Sequence, residues 1–454
     1  MIDIAKLIPN ELIEMAKLFP KQAPLYIVGG FVRDAIEYNT ASEDIDITSA
    51  LTPPELAYVL KNSQFAVKPA SPRLGTMIVK GQRAYEYTSF RVDSYPQGKG
   101  NHAPQEVLFT RNIEKDAKRR DFKCNAVYYD IVNDKIVDPL GGIKDIQDKI
   151  LNTTIGPTTV LSQDGLRIMR LARMVATHNY SVAKDTLDAA KELANRLRDV
   201  SIERISTELV KILISDHPYE GLDLLRKIGA FRYFLPELDA CDGEPQNPKY
   251  HLYDVLEHTF KCVEFAPKKI RIAALFHDVG KPVCMKNDGN TYKHDIVGAT
   301  MTKKILTRMK FPNNIISHTV ELVDTHMFDM AGTAKKATIR RFIAKHADVV
   351  LDIVALQKAD GLATGLVSGP LRESELLKQY NEMKDENVPF KIVDLKISGN
   401  DLLKMGFKGK TIGTVLDEMF DNCVIGCIKN EEAVLRKYAE KKKEKLYGTS
   451  QSDN

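Results

Sequence analysis

The feature that most limits the fold of this chain is a change of pattern near residue 160. Upstream, short segments rich in β-branched and aromatic residues predict strands at residues 25–28, 44–48, 75–79 and 84–92, with a helix at 31–38. Downstream, apolar residues recur at helical spacing, and glycine and proline become rare within segments. The chain therefore predicts an α+β fold in which a small head with a mixed sheet precedes an all-helical body.

The length of the chain predicts several domains, because 454 residues are too many for one hydrophobic core. We expect a head domain at 1–150, a helical neck at 151–236, a helical domain that holds most of the histidines at 250–370, and a helical tail at 371–454. The stretch 236–248 contains three prolines and is typical of a connector.

The composition is that of an ordinary globular protein, with 43% hydrophobic and 28% charged residues. The net charge of +4 does not by itself indicate a nucleic-acid partner. No apolar run approaches the roughly 20 residues that cross a bilayer, and the first residues do not resemble a signal peptide. The six cysteines are scattered, as in a protein with reduced thiols. These observations predict a cytoplasmic protein with no membrane partner.

Two aspartates near the start of the chain predict a metal site. Asp44 and Asp46 are two residues apart on a predicted strand, so their side chains point to the same face and repel each other. Mg²⁺ would relieve that repulsion, because it binds one or two carboxylates together with substrate phosphates. Gly29 and Gly30 let backbone N–H groups approach a phosphate at a helix start. Glu86, on another predicted strand, is either a third carboxylate of the site or a solvated residue. The pattern suits phosphoryl transfer.

Two further polar groups fit the binding of a nucleotide. Arg119 and Arg120 supply fixed positive charge for phosphates, and the neighbouring Asp121 and Asn125 can bond a ribose or a base. In an arbitrary sequence such a group is more often a surface ion pair.

Asp164 and Arg167 are three residues apart, which predicts that they share one helix face. One side chain accepts hydrogen bonds and the other donates them, so the pair can read the Watson–Crick edge of a base without a template. The alternative is a surface salt bridge.

The helical region contains a second set of potential metal ligands. An apolar helix leads to His277 and Asp278, which are followed by Gly280 and Lys281. Imidazole and carboxylate ligands suit Mn²⁺, Fe²⁺, Co²⁺, Ni²⁺ or Zn²⁺, and such an ion would activate water to attack a phosphoester. A lone histidine would more often be a packed core residue, but further candidate ligands accompany this pair. They are His258, His294, His326 and Asp360.

Six ordered groups of residues resemble the signatures of the class II tRNA nucleotidyltransferase and bacterial poly(A) polymerase family. They are residues 29–34 with 44–46, 119–126, 138–145, 163–170, 204–209 and 398–413. The resemblance covers nearly the whole chain, and the common order of the groups argues against chance agreement.

The resemblance implies template-independent addition of CMP and AMP, from CTP and ATP, to the 3′ end of tRNA, with release of pyrophosphate. It implies two-metal catalysis with Mg²⁺ held by Asp44 and Asp46, assisted by Glu86, and a helical body and tail that bind the tRNA acceptor arm. The nucleotide-binding residues that it implies are Gly29, Gly30, Arg33, Arg91, Asp93, Arg119, Arg120, Asp121, Asn125, Asp164, Arg167 and Arg170.

Two details bear on which nucleotides are added. Gln163 stands where the family usually has Glu, so the acceptor oxygen is kept and the charge is lost. The long loop at 93–106 resembles the one that enzymes adding only CC lack, which favours a terminal A-adding step. An A-adding enzyme or a poly(A) polymerase therefore stays open. A phosphohydrolase whose head only binds nucleotide, and a non-catalytic RNA-binding protein, are more distant alternatives.

The residues around His277 and Asp278 resemble the HD phosphohydrolase signature. The resemblance implies a metal ion held by His258, His277, Asp278 and Asp360, with His294 and His326 as further candidates. Such domains are phosphatases or 2′,3′-cyclic phosphodiesterases in some members of the family and scaffolds in others.

Overall fold

A computed structural model describes residues 4–40, 42–95, 105–366 and 374–448 of the chain. The chain forms two compact units, Met1–Ala240 with Arg308–Lys310, and Cys241–Thr307 with Phe311–Asn454. Most of the predicted loop at 93–106 lies outside the described residues, and its two ends belong to strands.

The first unit begins with a mixed seven-stranded sheet in the order β3-β4-β5-β2-β1-β8-β9, so the predicted α+β fold is confirmed. Neighbouring strands are antiparallel except for the parallel pair β2 and β5. The strands of the chain are β1 (Tyr26–Val28), β2 (Asp46–Ser49), β3 (Ala66–Ser71), β4 (Thr76–Lys80), β5 (Ala84–Ser89), β6 (Arg91–Ser94), β7 (Glu106–Phe109), β8 (Tyr128–Asp130), β9 (Lys135–Val137), β10 (Ile150–Leu151) and β11 (Ser181–Val182).

The register of the central strands aligns the predicted catalytic carboxylates. Val28 at the end of β1 is paired with Asp46 at the start of β2, and Asp46 is paired with Glu86 on β5. The glycine turn after β1 therefore lies at the same level of the sheet as both acidic residues.

Five helices accompany the sheet: α1 (Asn10–Lys17), α2 (Gly30–Tyr38), α3 (Pro53–Leu60), α4 (Ile113–Lys118) and α5 (Gly142–Asp148). Helix α2 follows β1 directly and buries Phe31, Val32 and Ala35. This apolar face fixes the start of α2 beside the sheet edge that carries the carboxylates, because burying it is the main stabilisation of an amphipathic helix.

Two predicted strands differ from the structure. The segment 84–92 forms two strands, because β5 ends at Ser89 and β6 pairs with β7 in a separate sheet. Between them Phe90 donates its N–H to the carbonyl of Ser49, and its own carbonyl accepts from the N–H of Thr110. Ser89 and Phe90 are both buried, so the alternation of residues breaks where the chain changes sheet. The predicted strand at 44–48 begins at Asp46, and Asp44 lies in the segment before it.

The rest of the first unit is helical, with α6 (Pro157–Gln163), α7 (Leu166–His178), α8 (Lys184–Glu192), α9 (Ile202–Leu213), α10 (Pro218–Lys227), α11 (Phe231–Phe234) and α12 (Pro236–Asp239). Two predictions for this region differ from the structure. The two-residue strand β11 pairs with β10 inside the region predicted to be helical, and it is too short to leave a periodic signal. The predicted connector at 236–248 opens with a helix, because Pro236 is tolerated at a first helical position.

The second unit contains the helices α13 (Val255–Phe265), α14 (Arg271–Phe276), α15 (Lys281–Asp288), α16 (His294–Arg308), α17 (Asn313–Thr325), α18 (Lys336–Lys345), α19 (Val350–Ala363), α20 (Glu375–Asp385), α21 (Gly399–Lys404), α22 (Lys410–Val424) and α23 (Glu432–Tyr447). The tail has a small core of its own, centred on Leu402, Phe407 and Met419. Among the described helices, none is both long enough and apolar enough to span a bilayer. All six cysteines are free, and five of them are buried.

Candidate functional site

The glycine turn after β1 brings the N-terminus of α2 beside Asp46. Gly29 has a φ of 83° and a ψ of −135°, a conformation that L side chains rarely adopt. A Cβ atom at Gly29 would lie 3.5 Å from Oδ2 of Asp46, so the backbone approaches the carboxylate closely. The turn therefore places the start of α2, where backbone N–H groups can bind a phosphate, beside the first residue of β2.

Two acidic residues at this edge of the sheet, Asp46 and Glu86, have a raised pKa. Desolvation raises the pKa of Asp46, Arg120 opposes the shift, and the charge of Asp44 adds to it. Desolvation also raises the pKa of Glu86, with further contributions from Asp46 and Asp44. Within the described residues, sets of three donor atoms less than 4.8 Å apart are found in the helical unit, so Asp44, Asp46 and Glu86 do not form such a set. An ion held by one or two of these carboxylates would take its remaining ligands from water and substrate phosphates.

A buried carboxylate that sequence reasoning missed fixes the two adjacent arginines. Asp116 on α4 is fully buried and accepts hydrogen bonds from Arg119 Nε (2.7 Å) and Arg120 Nη2 (3.3 Å). It also accepts from the hydroxyl of Tyr128 (2.7 Å) and the backbone N–H of Arg91 (3.2 Å). Burial raises the pKa of Asp116, but Arg119 and Arg120 outweigh this effect and lower it. The spacing of three and four residues between Asp116 and the arginines was the signal that could have found it.

Asp121 is paired with Arg170, although the sequence predicts it to accept from a ribose. Arg170 Nε donates to Asp121 Oδ2 (2.6 Å), and the N–H of Phe122 donates to Oδ1 (2.8 Å). Burial raises the pKa of Asp121, but Arg170 and Arg167 hold it well below its ordinary value. Asp121 is therefore ionised, and its first role is to fix Arg170.

Asn125 links this group to the first helix of the site. Its side-chain oxygen accepts a hydrogen bond from Arg33 Nη1 at 2.6 Å, and Arg33 Nε donates to Asp34 at 2.9 Å. Residues 92 positions apart are thus joined by one short contact.

Asp164 and Arg167 do not share a helix, so that prediction is wrong. Asp164 ends α6 with an extended backbone, and α7 begins at Leu166. The break occurs at Asp164, whose φ of −145° and ψ of 110° are extended, whereas Gly165 has helical dihedral angles. A Cβ atom at Gly165 would lie 2.5 Å from the carbonyl oxygen of Arg196, so the chain packs closely against that backbone just after the break. The spacing of the sequence could not indicate either feature.

Each member of this pair is fixed by a different partner. Arg167 is buried and donates to the carbonyls of Val160 (2.9 Å) and Arg119 (2.7 Å) and to Oε1 of Gln163 (2.8 Å). Asp164 Oδ2 accepts from Arg204 Nη2 at 3.1 Å. Gln163 therefore holds Arg167 in place through a neutral acceptor, where a glutamate would offer a charged carboxylate.

One cavity of about 710 Å³ gathers most of the predicted site. All twelve predicted nucleotide-binding residues line it, together with Asp46, whereas Asp44 and Glu86 do not. Eight arginines and one lysine face four aspartates in the lining, which gives the cavity an excess of positive charge. Such a lining suits a nucleoside triphosphate, because arginine binds phosphate oxygens in pairs.

The cavity also includes residues that the sequence did not single out. They are Tyr95, Leu166, Arg173, Met174, Thr177, His178, Arg204, Lys211, Ile214 and Ser215. Several lie on α7 at three, four and seven residues from Arg170, so extending the helical face from that arginine would have found them. The ring of Tyr95 lies 5.9 Å below the guanidinium of Arg167.

The second predicted metal site forms a compact group in the other unit. We call it the histidine cluster, and its members are His258, His277, Asp278, His294, His326 and Asp360. All six residues are buried. His251, which the sequence pattern left out, stacks edge-on against His258 with the ring centroids 4.7 Å apart.

The ring nitrogens of the cluster have a common orientation. In each of the four histidines Nδ1 lies 2.7 to 3.2 Å from a backbone carbonyl, of Ala363, Ala274, Thr291 and Val323. A carbonyl only accepts hydrogen bonds, so each Nδ1 carries the proton. The four Nε2 atoms therefore face the centre of the cluster, as metal-binding histidines do.

Models of known domains match four stretches of the chain. Residues 25–152 match the model of the poly A polymerase head domain, and residues 179–242 match the "Probable RNA and SrmB- binding site of polymerase A". Residues 214–352 match the HD domain, and residues 295–439 match domain 2 of tRNA nucleotidyltransferases.

Relatives align over nearly the full length of the chain. It is 29% identical over 437 residues to the CC-adding tRNA nucleotidyltransferase of Thermus thermophilus, covering 91% of this chain and 92% of the relative. It is 26% identical over 420 residues to the CCA-adding enzyme of Ligilactobacillus salivarius, covering 92% of both. The crystal structure of the Bacillus stearothermophilus CCA-adding enzyme in complex with CTP has the same fold, with a TM-score of 0.67, 20% identity, and coverage of 97% of this chain and 98% of that one.

The fold of the head and the charged cavity beside it define a nucleotidyltransferase. The chain belongs to the class II tRNA nucleotidyltransferase and bacterial poly(A) polymerase family, and it carries an HD-type domain. Membership in this family implies the use of a divalent metal ion.

Proposed function

We propose that this enzyme adds CMP and AMP from CTP and ATP to the 3′ end of tRNA without a template, completing the CCA sequence. The observation that carries the proposal is the single cavity in which Asp46 and the twelve predicted nucleotide-binding residues meet. The printed name of the CCA-adding relative supports it, and that of the CC-adding relative supports the addition of CMP. The 3′-hydroxyl of the RNA attacks the α-phosphate, the bond to the β-phosphate breaks, and pyrophosphate leaves.

Mg²⁺ is the proposed ion of the head, held by Asp44 and Asp46 with assistance from Glu86. The carboxylates fit a dication because their charges disfavour one another: beside the larger effect of desolvation, Asp44 raises the pKa of Asp46, and both aspartates raise the pKa of Glu86. When bound, Mg²⁺ neutralises phosphate charge and favours ionisation of the attacking hydroxyl. The turn at Gly29 and Gly30 presents backbone N–H groups to the phosphates.

The remaining roles follow from how the cationic side chains are held. Arg119 and Arg120, fixed by Asp116, face the cavity and bind the triphosphate. Arg170 is fixed by Asp121 in the same way. Fixed donors stabilise the charge that develops on the leaving pyrophosphate without having to reorganise.

Asp164 and Arg167 would select the base, one as acceptor and the other as donor. Arg204 and Gln163 hold them apart in defined positions, so together they present a rigid edge to cytosine or adenine. A rigid edge discriminates well, because a wrong base leaves buried polar groups unpaired.

The helical parts of the chain outside the head would bind the RNA. The helical neck at 151–236 and the helical tail at 371–454 would bind the tRNA acceptor arm through its phosphates, so binding should weaken as salt rises. A tRNA substrate is consistent with a cytoplasmic location.

The test uses one tRNA truncated at successive 3′ positions. The wild-type enzyme should extend a tRNA lacking CCA with labelled CTP, and should add a single labelled AMP to a tRNA ending in CC. The variant Asp44→Ala/Asp46→Ala should do neither, while Asp134→Ala/Asp148→Ala, on the surface of the same domain, should do both. Extension that stops after CC, a long A tail, or equal incorporation by the Asp44→Ala/Asp46→Ala variant would contradict the proposal.

A second activity is proposed for the histidine cluster: hydrolysis of phosphoesters at a transition metal ion. The observation that favours it is the convergence of four Nε2 atoms and two carboxylates in a buried site. His258, His277, Asp278 and Asp360 would hold the ion, which would supply an activated water when bound. The variant His277→Ala/Asp278→Ala should lose hydrolysis of an RNA 2′,3′-cyclic phosphate, in which water attacks the phosphorus and one ribose hydroxyl leaves to give a phosphomonoester, and should retain CMP addition. Ring opening that continues in this variant would contradict the assignment.

A further inference from the structure

One face of strand β6 lines the charged cavity, and the other faces away from it. Arg91 and Asp93 on β6, and Tyr95 directly after it, line the cavity and are half-buried. Val92 and Ser94, which alternate with them, are exposed and lie outside the lining. Successive side chains of an extended segment point to opposite sides, so Tyr95 continues the cavity face of β6 by one residue.

The strand that carries Tyr95 is held at both ends. At its start, Arg91 Nε donates to Oδ1 of Asp93 at 2.8 Å, and Arg91 Nη2 donates to Oδ2 at 3.3 Å. At its end, the carbonyl of Ser94 accepts a hydrogen bond of 2.8 Å from the N–H of Gln105. Tyr95 therefore follows a fixed residue, and its ring enters the cavity beside an arginine and an aspartate that are bonded to each other.

The ring of Tyr95 lies beneath a guanidinium that is itself fixed. Cζ of Arg167 is 5.9 Å from the centre of the ring, within the range of a cation–π contact. Within the described part of the chain, Arg167 donates to three acceptors, the carbonyls of Val160 and Arg119 and Oε1 of Gln163. A guanidinium has five N–H groups, so two are left for a ligand. A base that bonds them lies beside the guanidinium, and the ring of Tyr95 then lies under the face of that base.

Tyr95 is a neutral ring among charged side chains. Desolvation raises the pKa of Tyr95, Arg167 opposes that shift, and Asp93 and Asp164 add to it. The hydroxyl therefore keeps its proton at neutral pH. Aromatic rings stack on cytosine and adenine alike, because every base has a π face. Hydrogen bonds to Asp164 and Arg167 depend on which groups the base carries at its edge, so the stacking and the edge contacts have separable effects.

We propose that Tyr95 is a further substrate-binding residue, whose ring stacks on the base of the incoming nucleoside triphosphate while Asp164 and Arg167 bond the edge of that base. The inference rests on the proposed addition of CMP and AMP. It adds a residue that strengthens the binding of any base and does not choose between bases.

Steady-state kinetics with truncated tRNA test the role of the ring. Tyr95→Ala should raise KM for CTP and for ATP by about tenfold, which is the effect expected when a base loses an aromatic partner. We expect kcat and the preference over UTP and GTP to stay as in the wild type, because the lost contact binds substrate and transition state equally. Tyr95→Phe keeps the ring and should behave as the wild type.

The matched control is Tyr58→Ala, which removes an exposed tyrosine on α3 of the same domain and should leave all constants unchanged. An unchanged KM in Tyr95→Ala, or an equal rise in Tyr95→Phe, would overturn the role of the ring. A rise in KM for tRNA alone would also overturn it, because the ring would then contact the RNA and not the incoming nucleotide.

The absence of tryptophan from the chain permits a measurement of stacking that needs no activity. Tyr95→Trp would place the single tryptophan of the protein under Arg167, and CTP or ATP should quench its fluorescence, whereas inorganic pyrophosphate, which has no base, should not. Tyr58→Trp corrects for light absorbed by the nucleotide and should show no further quenching. Quenching by CTP in a protein whose wild type adds no CMP would support the stacking and overturn the proposed function. CMP addition by the wild type, without quenching in Tyr95→Trp, would overturn the stacking alone.

Discussion

The carboxylate of Asp116 is completely buried, and its Oδ1 atom accepts a hydrogen bond of 2.7 Å from Nε of Arg119. Its other oxygen bonds Arg120 and Tyr128. One buried charge thus holds two of the cations that line the cavity, and the orientation of those cations depends on a residue that does not itself line it.

Replacing Asp116 should weaken nucleotide binding more than it weakens the fold. In Asp116→Asn the side-chain shape is kept while the negative charge that faces Arg119 and Arg120 is lost. We expect kcat/KM for CTP and ATP to fall by about tenfold to a hundredfold, since hydrogen bonds to charged groups contribute about 1.5–3 kcal/mol. Steady-state kinetics with a saturating truncated tRNA would measure this.

The control for Asp116 is Asp148→Asn, which removes a surface carboxylate that pairs with Lys144 four residues earlier. Its kinetics should equal those of the wild type, since exposed pairs contribute little. Unchanged kinetics in a folded Asp116→Asn protein would show that Arg119 and Arg120 do not need this carboxylate to bind the triphosphate.

Gln163 should affect which nucleotide is chosen more than how fast it is added. Its Oε1 atom accepts from Arg167 at 2.8 Å, and Gln163→Ala would leave the guanidinium with two backbone carbonyls. We expect the preference for CTP and ATP over UTP and GTP, measured as ratios of kcat/KM, to fall about fivefold to tenfold. Gln163→Glu restores an acceptor and should keep the preference. Equal preferences in all three proteins would contradict the role of Gln163.

The parts of the site that depend on neighbouring residues could be predicted from the sequence. Asp46, Gly29 and Gly30 were found because a glycine turn and alternating aspartates have a local geometry that spacing reveals. The mixed sheet and the change to helices were found from periodicity in the same way. The members of the histidine cluster were predicted because they fit the pattern around the adjacent His277 and Asp278.

Relationships between distant segments could not be predicted. Gly165, which follows the extended Asp164 between α6 and α7, packs against the backbone of Arg196, and no feature near Gly165 in the sequence reports that contact. The partner of Asp121 likewise lies 49 residues away on α7. The alternation at 84–92 breaks at Ser89 and Phe90, which are both buried, but that break alone could not show that the chain moves to a different sheet.

Replacing Gly29 should strain the backbone and also weaken the binding of Mg²⁺. In Gly29→Ala a side chain is forced into a φ of 83° and a ψ of −135°, and its Cβ would contact Asp46. Gly409 is a matched control, because it also precedes a helix, with a φ of 55° and a ψ of −135°, and no atom lies within 4 Å of its Cβ position. Each variant should be destabilised by about 1–2 kcal/mol. Only Gly29→Ala should raise the Mg²⁺ concentration that gives half-maximal activity, and an equal rise in both would contradict the coupling.

Removing the charge of Glu86 should stabilise the metal-free protein. Desolvation, Asp46 and Asp44 raise the pKa of Glu86, so its ionised form is disfavoured in the fold. The ionised Glu86 therefore lowers the stability of the folded protein at pH values above its raised pKa. This loss of stability disappears at pH values below the ordinary carboxyl pKa, where Glu86 is protonated in both the folded and the unfolded chain. In EDTA at pH 7.5, Glu86→Gln should therefore raise Tm, and the gain should disappear as pH falls towards 4. Glu114→Gln should not raise Tm, because Lys118 lowers the pKa of Glu114. A lower Tm for Glu86→Gln at pH 7.5 would show that Glu86 supports the sheet and does not share the repulsion of the metal site.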